Sequence, residues 1–574
     1  MPSPVRPVPD DEPVGWRTLL PPLVWLPGYQ RGWLARDAVA GVTLAAYAIP
    51  VSLAYATLAG LPPQNGIYCY LVAGLAYFLF GSSRQLAMGP TSAISLLVGT
   101  TIAGMAAGDP ARAAQVAALT ALVMAAASFV AWALKLSSLV NFISETILLG
   151  FKAGAALTIA MTQLPKLFGV PGGEGGFFER SLKLVSQLPA TNLAVLAFGL
   201  AAIALLVVGE RRFPAWPVAL LVVAGSIVAL SATPLAAMGF KTVGLLPAGL
   251  PALTVPALHP ADIDEVLPLA LACFLLAYIE GVSAARTLAQ RNGYEVDPRQ
   301  ELFALGAANA AAALGQGYPV AGGLSQSTVN DQAGAKSPLA LVFASATIGL
   351  CLVFLTRMLH SLPDVVLAAI VLVAVTGLID VAELRRVYRL NRMEFAIAMV
   401  ALAGVLVAGI LKGVLIAAIV SMLMVIRHVA QPHVARLGRI PGTRRYSDLA
   451  HHPDNEEVPG VVIVRVESRL LYFNVRHVRE RIREHIASGG AGLRAVVWDL
   501  STSPDVDIAG AKLLGDVQRE LALRGIPLRV AEAHWSVRDL VRKEVGASIG
   551  EVNRRYSVDD VVTEELRITS PHPA

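Results

Sequence analysis

Apolar and polar positions divide the chain into two parts with different patterns. From about Ala38 to Val429, apolar blocks of roughly 16–25 residues follow one another, which is the length that a helix needs to cross a bilayer. Beyond about Pro432, charged residues become frequent, and short β-branched runs alternate with amphipathic stretches. The pattern predicts an all-α polytopic membrane domain followed by a soluble α/β domain.

The apolar part contains fourteen predicted spans. They centre near residues 47, 71, 96, 123, 152, 201, 222, 276, 308, 328, 347, 371, 402 and 421. If the N-terminus is cytoplasmic, the cytoplasmic loops hold about twice as many Lys and Arg residues as the opposite loops, as the positive-inside rule requires. Because the number of spans is even, we expect both termini on the cytoplasmic side.

Two polar, glycine-containing stretches interrupt the apolar pattern, at residues 88–93 and 322–327. Each leads into a segment that can continue as a helix, so each can present the free N–H groups and the positive dipole end of a helix. The stretches fall in the third and tenth predicted spans. Since seven is odd, two seven-span repeats would have opposite topology, and paired interruptions of this kind indicate an anion site.

Composition supports a membrane protein and excludes several other classes. The chain is 55% hydrophobic and 15% charged, whereas soluble proteins are about 45–50% apolar and about 25% charged. The basic loops account for the net charge of +5, so no nucleic-acid partner is predicted. The three cysteines are far apart and give neither a disulfide framework nor a metal-binding pair.

No convincing catalytic, cofactor or metal motif is present, so we do not expect an enzyme. His451, His452 and Asp454 could suggest a metal site. They lie in a polar stretch between the two predicted domains, and we interpret them as part of a solvated loop.

Several motifs in combination resemble one family, the sulfate permease (SulP) anion transporters. They are GVTLAAYAIP at 41–50, AYA at 54–56, GLPP at 60–63, GIY at 66–68, GSSR at 81–84, GP at 89–90, GF at 150–151 and QLPK at 163–166. The resemblance implies two inverted seven-span repeats, divided into a core and a gate domain. It also implies elevator-like alternating access, homodimers and anionic substrates.

The resemblance also implies which residues bind the anion. Pro50 is expected to open the first span locally, because it lacks an N–H donor. For each Ser or Thr taken alone, close helix packing is an equally good interpretation. The implied binding residues are Tyr47, Ile49, Pro50, Gly89, Pro90, Thr91, Ser92, Gly323, Ser325, Gln326 and Ser327.

The chain departs from the family pattern at Gln326, where many members have Arg. Lys152, in the middle of an apolar block, is a candidate replacement for the missing charge. Two alternatives stay open for Lys152: an ion pair with Glu145 or Glu280, or a side chain that extends to the membrane surface.

Glu280 is the candidate coupling residue, because it is a carboxylate inside an apolar run. The resemblance places a coupling carboxylate at this motif of the eighth span. Protonation would remove its charge when an anion enters, which predicts proton–anion symport. A structural ion pair with Lys152 or Arg286, or a sodium site that includes Ser283, is the alternative.

The C-terminal part resembles a STAS domain. A paired strand unit is expected at 461–466 and 470–474, further strands at 495–500 and 527–531, and helices at 476–486, 508–524 and 536–545. Ala509 stands where stand-alone STAS proteins that regulate sigma factors carry a phosphorylated Ser or Thr. The predicted regions are an N-terminal segment (1–36), the membrane domain (37–430), a linker (431–457), the STAS domain (458–566) and a tail (567–574).

These observations predict a secondary active anion transporter in the lipid of a bacterial inner membrane, most simply a proton symporter of sulfate or a dicarboxylate. The alternatives are a sodium-coupled bicarbonate symporter and an uncoupled anion exchanger. A membrane-anchored STAS regulator is a more remote alternative, because it would not need the polar interruptions or Glu280.

Overall fold

A computed structural model describes residues 19–569, except 107, 138–144, 174, 214–215, 234–237, 245–246, 258–259 and 546–556. The chain forms two compact units that meet in sequence between Ser421 and Met422. The first unit is helical, and the second contains a mixed sheet with helices. The predicted division into a helical part and an α/β part is therefore confirmed.

Each predicted span corresponds to one helix, and we number these helices as spans 1 to 14. The first begins at Arg31, somewhat before the predicted domain start at 37. In order, the spans are Arg31–Leu58, Pro63–Phe80, Ser92–Ala106, Pro110–Ala133, Glu145–Phe168, Leu193–Arg212, Val218–Ala232, Pro260–Asn292, Pro298–Leu314, Leu324–Gln332, Leu339–Phe354, Asp364–Thr376, Arg392–Ala408 and Ile410–Ala430. By length and composition alone, six described helical stretches could cross a membrane, and three more are shorter apolar helices.

Short helices also occur between the spans. The helix at Val381–Leu390 has no buried residue, and that at Phe177–Gln187 buries only Leu184 among its described residues. The other short helices are Pro22–Trp25 and Thr356–Leu359, with 3-10 turns at Leu26–Gly28 and Leu188–Ala190.

The spans pack as two groups that correspond between the two halves of the chain. Span 4 packs along span 9, and span 1 packs along span 11, whereas span 5 packs along spans 12 and 13. Spans 1, 4, 9 and 11 thus pack in pairs between the two halves, and spans 5, 12 and 13 do so separately.

Close helix approach in the membrane unit depends on glycine. A Cβ at Gly150 of span 5 would lie 1.9 Å from the carbonyl oxygen of Ala398 in span 13. A Cβ at Gly66 of span 2 would lie 2.0 Å from the carbonyl oxygen of Ser52 in span 1. Small residues therefore let these backbones touch, as is usual where lipid gives helices no hydrophobic drive to associate.

The predicted break at Pro50 is wrong, because span 1 is one continuous helix through this residue. Proline removes only the N–H that would reach the carbonyl of Ala46, four residues earlier. Ile49, Pro50 and Val51 are all buried. Packing around this turn holds the helix together despite one missing hydrogen bond.

The second unit contains five strands, numbered after two short strands of the first unit. They are β3 (Val434–Arg439), β4 (Tyr446–Asp448), β5 (Val461–Val466), β6 (Ala495–Asp499) and β7 (Leu528–Ala531), and the helices are Val475–Ser488, Ile508–Ala522, Trp535–Val545 and Val558–Thr569. The strands form one sheet of order β4-β3-β5-β6-β7, in which β5 pairs antiparallel with β3 and parallel with β6. Trp498 of β6 is fully buried.

Two predictions for this unit are wrong. The range 431–457 is not a linker, because β3 and β4 lie within it and belong to the sheet. The segment 470–474 is not the pairing partner of β5; it leads into the next helix, where Asn474 Oδ1 accepts a hydrogen bond from Leu471 N and Nδ2 donates to Arg469 O. Two arginines interrupt the apolar positions of β3, so the sequence pattern did not predict this strand. In the structure, β3 and not the segment 470–474 pairs antiparallel with β5.

Candidate anion site

A short pair of antiparallel strands organises the centre of the membrane unit. The strands are β1 (Met88–Gly89) and β2 (Ala321–Gly322), with Met88 opposite Gly322 and Gly89 opposite Ala321. Span 3 begins three residues after β1, and span 10 begins two residues after β2. Since the strands run in opposite directions, the two helices leave the pair in opposite directions, with both N-termini next to it.

Both helices start with unused backbone donors. In span 3, the first intrahelical donor is Ser95 N, which donates to Thr91 O. In span 10, Ser327 N donates to Gly323 O, and no side chain caps the helix. The N–H groups ahead of these bonds have no acceptor within their own helices, and they carry the positive ends of two helix dipoles. This arrangement favours an anion.

Glycine in β1 and β2 lets side chains lie directly on the strand pair. A Cβ at Gly89 would be 2.5 Å from Cε1 of Tyr70, so the Tyr70 ring lies against the backbone of β1. A Cβ at Gly322 would be 2.7 Å from Cδ2 of Leu86. Any larger residue in either position would displace these neighbours.

Two hydroxyl groups near the start of span 3 are buried without a hydrogen-bond partner among the described residues. They are Tyr70 Oη and Thr91 Oγ1. An unpaired buried hydroxyl costs free energy, because water no longer satisfies it. A ligand that accepts hydrogen bonds next to the strand pair would satisfy both groups.

Glu280 of span 8 lies beside this region, since a Cβ at the neighbouring Gly281 would be 3.7 Å from Gly322 N. Its carboxylate faces the Thr91 hydroxyl and interacts through space with Lys152. The Thr91 hydroxyl makes no hydrogen bond of normal geometry within the described residues. An ion pair of Lys152 with Glu280 stays a prediction, and the side chain of Glu145 lies outside the described residues.

Two predicted ligands instead hold the strand pair together. Gln326 Nε2 donates to the carbonyl oxygens of Ala87, at 3.0 Å, and Ala321, at 3.3 Å. Ser327 Oγ donates to Gly323 O and accepts from Ala87 N. Both side chains are buried, and they cross-link the segments that precede spans 3 and 10. Their hydrogen bonds give them a structural role, and anion contact by these side chains stays a prediction.

The other predicted residues occupy different kinds of position. Ser325 is exposed at the start of span 10, whereas Ser92 is buried at the start of span 3. Tyr47 is half-buried, and Ile49 is buried on span 1. Pro90 is also buried, directly after β1.

Sequence reasoning missed the tyrosines around the strand pair. Tyr55, Tyr70 and Tyr318 lie close enough to interact electrostatically. The Tyr318 hydroxyl is 3.0 Å from Ser95 Oγ. A signal was available, because a tyrosine inside an apolar span needs a partner for its hydroxyl.

The chain matches known protein families along most of its length. The model of the sulfate permease family matches residues 34–401, and the STAS domain model matches residues 452–547. A protein of Mycobacterium tuberculosis named "Probable sulfate transporter" is 32% identical over 524 residues, which cover 90% of this chain and 94% of the relative. The chloroplastic sulfate transporter 4.1 of Arabidopsis thaliana is 31% identical over 547 residues, covering 91% of this chain and 78% of the relative.

Solved structures share the fold. The murine Slc26a9 anion transporter in the inward-facing state has a TM-score of 0.88 at 23% identity, covering 98% of this chain and 96% of that one. The transmembrane domain of the cyanobacterial bicarbonate transporter BicA has a TM-score of 0.60 at 21% identity, covering 69% of this chain and 98% of that one. The predicted fold of two inverted repeats followed by a STAS domain is confirmed. The chain therefore belongs to the sulfate permease family of multi-pass membrane anion transporters and is not an enzyme.

Proposed function

We propose that the protein is a secondary active symporter that carries an oxyanion together with protons, with sulfate as the first candidate and dicarboxylates as the next. The printed names of its relatives support sulfate. One observation carries the proposal: two uncapped helix N-termini and two unpaired buried hydroxyls meet at the strand pair, beside Glu280. Backbone donors do not specify the shape of an oxyanion, so the site alone leaves the choice of anion open.

In this proposal, dipoles and hydroxyls hold the anion without a fully charged side chain in direct contact. Gln326 is neutral, and its amide nitrogen is committed to backbone carbonyls. Lys152 contributes a positive potential from a distance, as its through-space interaction with Glu280 suggests. No cationic side chain has to leave water together with the anion, so the desolvation cost of the second ion of a buried ion pair is avoided.

Glu280 couples the anion to a proton. Two negative charges about 5–8 Å apart, in an effective dielectric of about 20, repel by about 2–3 kcal/mol, a factor of about 30–150 in affinity. Protonation of Glu280 removes this repulsion, so the protonated carrier binds the anion more tightly.

Glu301 is a less suitable coupling residue, although it too is buried. It accepts hydrogen bonds from the hydroxyls of Tyr77 and Ser82 and from the backbone N–H groups of Ser82 and Ser83. These donors already satisfy the carboxylate oxygens of Glu301 within the protein. Its role is to connect the end of span 2 to the start of span 9.

Alternating access would be elevator-like. The strand pair joins span 3 to span 10, and span 8 packs against β2, so the site would move as part of one body. We further propose that the protein lies in a bacterial inner membrane with both termini in the cytoplasm, and that it forms homodimers. The basic loops support this orientation.

Uptake into proteoliposomes under an imposed pH gradient, with a panel of labelled anions, tests the proposal. A symporter accumulates one or more oxyanions when the outside is acidic and the inside contains no exchangeable anion. A sodium-coupled bicarbonate symporter would require a sodium gradient, and an exchanger would require internal anion and ignore the pH gradient. A STAS regulator would transport nothing.

Lys152→Met tests charge compensation. We expect KM for the anion to rise about 3–10-fold with little change in the maximal rate, because the variant removes a positive potential near the site. Lys183→Met is the matched control, since Lys183 is exposed on the short helix Phe177–Gln187. Unchanged affinity in Lys152→Met would contradict compensation.

Thr91→Val tests the unpaired hydroxyl. Valine keeps the shape of threonine but cannot donate to the anion, so we expect a loss of about 1–2 kcal/mol of binding, or about 5–30-fold in KM. Thr100→Val, in span 3, is the control, because Thr100 Oγ1 already donates a hydrogen bond to Leu96 O. Equal KM values for the two variants would show that Thr91 does not contact the anion.

A further inference from the structure

Three potential metal ligands meet in the second unit, well away in sequence from the anion site. His433 Nε2 lies 2.8 Å from Asp448 Oδ2, and His451 Nδ1 lies 2.7 Å from the same oxygen. One ligand atom from each residue lies within 4.8 Å of the other two. The histidine rings are perpendicular, with centroids 5.8 Å apart, and both remain accessible from solvent.

The β3–β4 hairpin holds the three side chains in place. Leu437 pairs with Asp448 across the hairpin, which brings the residue just before β3 near the turn that follows β4. His433 O accepts a hydrogen bond from Glu467 N, which fixes the backbone at this end of the hairpin. Asp448 Oδ1 accepts a hydrogen bond from Ala450 N, so that Oδ2 is directed towards the two imidazoles.

A backbone hydrogen bond holds the Asp448 carboxylate in position. The bond from Ala450 N fixes one carboxylate oxygen and leaves the other beside the two imidazoles, as hydrogen bonds around metal-binding carboxylates do.

We propose that His433, Asp448 and His451 form a site for one divalent zinc ion, with solvent in the remaining position. Two imidazoles and one carboxylate are a common protein ligand set for zinc. With metal–ligand distances of about 2.0–2.1 Å and tetrahedral angles, neighbouring ligand atoms would be about 3.3 Å apart. The two distances between imidazole nitrogen and carboxylate oxygen, 2.8 and 2.7 Å, would need to lengthen only slightly. Rotation of the exposed His451 side chain can bring its nitrogen to the required distance from the nitrogen of His433.

Zinc would connect the residue that precedes β3 to the loop that follows β4. The cluster lies just after span 14 in the chain, so the metal would fix the start of the soluble domain. The pair His451–His452, considered alone, predicted a solvated loop. The cluster contains His433 and Asp448 in place of His452 and Asp454. His433 lies eighteen residues before His451 in the sequence, and the hairpin places the two side by side.

Zinc binding to the purified full-length chain, without a polyhistidine tag, tests this inference. We expect one zinc per chain in competition with a chromogenic chelator, and at least a 10-fold weaker affinity in His433→Gln and His451→Gln. His452→Gln is the matched control, because His452 is exposed and adjacent but outside the cluster. Its affinity should equal that of the unmodified chain.

A second readout covers the case in which a variant folds poorly. Cobalt(II) bound to the unmodified chain should give the intense visible absorption of a low-symmetry four-coordinate site, and His452→Gln should keep it. Absence of stoichiometric zinc in the unmodified chain would overturn the proposal. So would an equal loss of affinity in His452→Gln and His451→Gln.

Discussion

Glu280→Gln is expected to abolish anion accumulation driven by a pH gradient while preserving anion binding. Glutamine has the shape of the protonated glutamic acid and stays neutral at every pH. The variant should therefore bind the anion at least as tightly as the unmodified protein, and its affinity should not change with pH. Proteoliposome uptake with an acidic outside, together with equilibrium binding of the same anion, measures both properties.

The matched control for this variant is Glu394→Gln. Glu394 is an exposed carboxylate on span 13, where Oε2 accepts a hydrogen bond from Thr146 Oγ1. An amide oxygen can keep this hydrogen bond, so pH-driven accumulation should be unaffected. Persistent accumulation in Glu280→Gln would contradict coupling at this residue. Loss of both accumulation and binding would instead assign Glu280 a structural role.

Gly89→Ala is the second change with a large expected effect. The new methyl group would lie 2.5 Å from the Tyr70 ring, so the ring, the strand pair or both must move. Overpacking of this kind costs about 1–3 kcal/mol in stability. The shift also displaces the Tyr70 hydroxyl and the start of span 3, so we expect anion uptake to fall about 100-fold or more, from the loss of several contacts at about 1 kcal/mol each.

Gly104→Ala is the control, because Gly104 lies in the same span and a Cβ there meets nothing within 4 Å. Alanine should leave uptake unchanged and increase helix stability by up to about 1 kcal/mol. Thermal unfolding in detergent separates the two effects. If Gly89→Ala is as active as Gly104→Ala, the strand pair does not shape the site.

The membrane fold could be predicted because its signals are long and local. Each apolar block is the length of a bilayer helix, and the polar stretches at 88–93 and 322–327 mark where spans 3 and 10 begin. The pairing of β1 with β2 could not be read from the pattern, since two-residue strands have no periodicity. The prediction of a break at Pro50 failed for a different reason. Proline disfavours the interior of a helix, but the packing around Pro50 keeps span 1 continuous.

The roles of side chains in the candidate site were harder to predict than the positions at which spans 3 and 10 begin. Gln326 and Ser327 are next to the start of span 10, yet their hydrogen bonds go to the backbone around the strand pair. Tyr70 lies in span 2, and its ring contacts Gly89 in the next segment of the chain. Such a contact depends on how the spans pack, so a local sequence motif cannot predict it. In the second unit, charged residues in β3 obscured the strand pattern, so this strand was not predicted. The contact of His433 and His451 with Asp448 depends on the hairpin that β3 forms with β4.

In the proposed transport mechanism, the anion binds between the N-termini of spans 3 and 10. A cryo-EM map of the full chain in lipid nanodiscs, saturated with the anion that proteoliposomes accumulate, tests it when compared with an anion-free map. The predicted result is difference density in contact with the backbone N–H groups at Ser92 and Ser325 and with the Thr91 hydroxyl. Density at another place, or none at a concentration that saturates uptake, would contradict the claim.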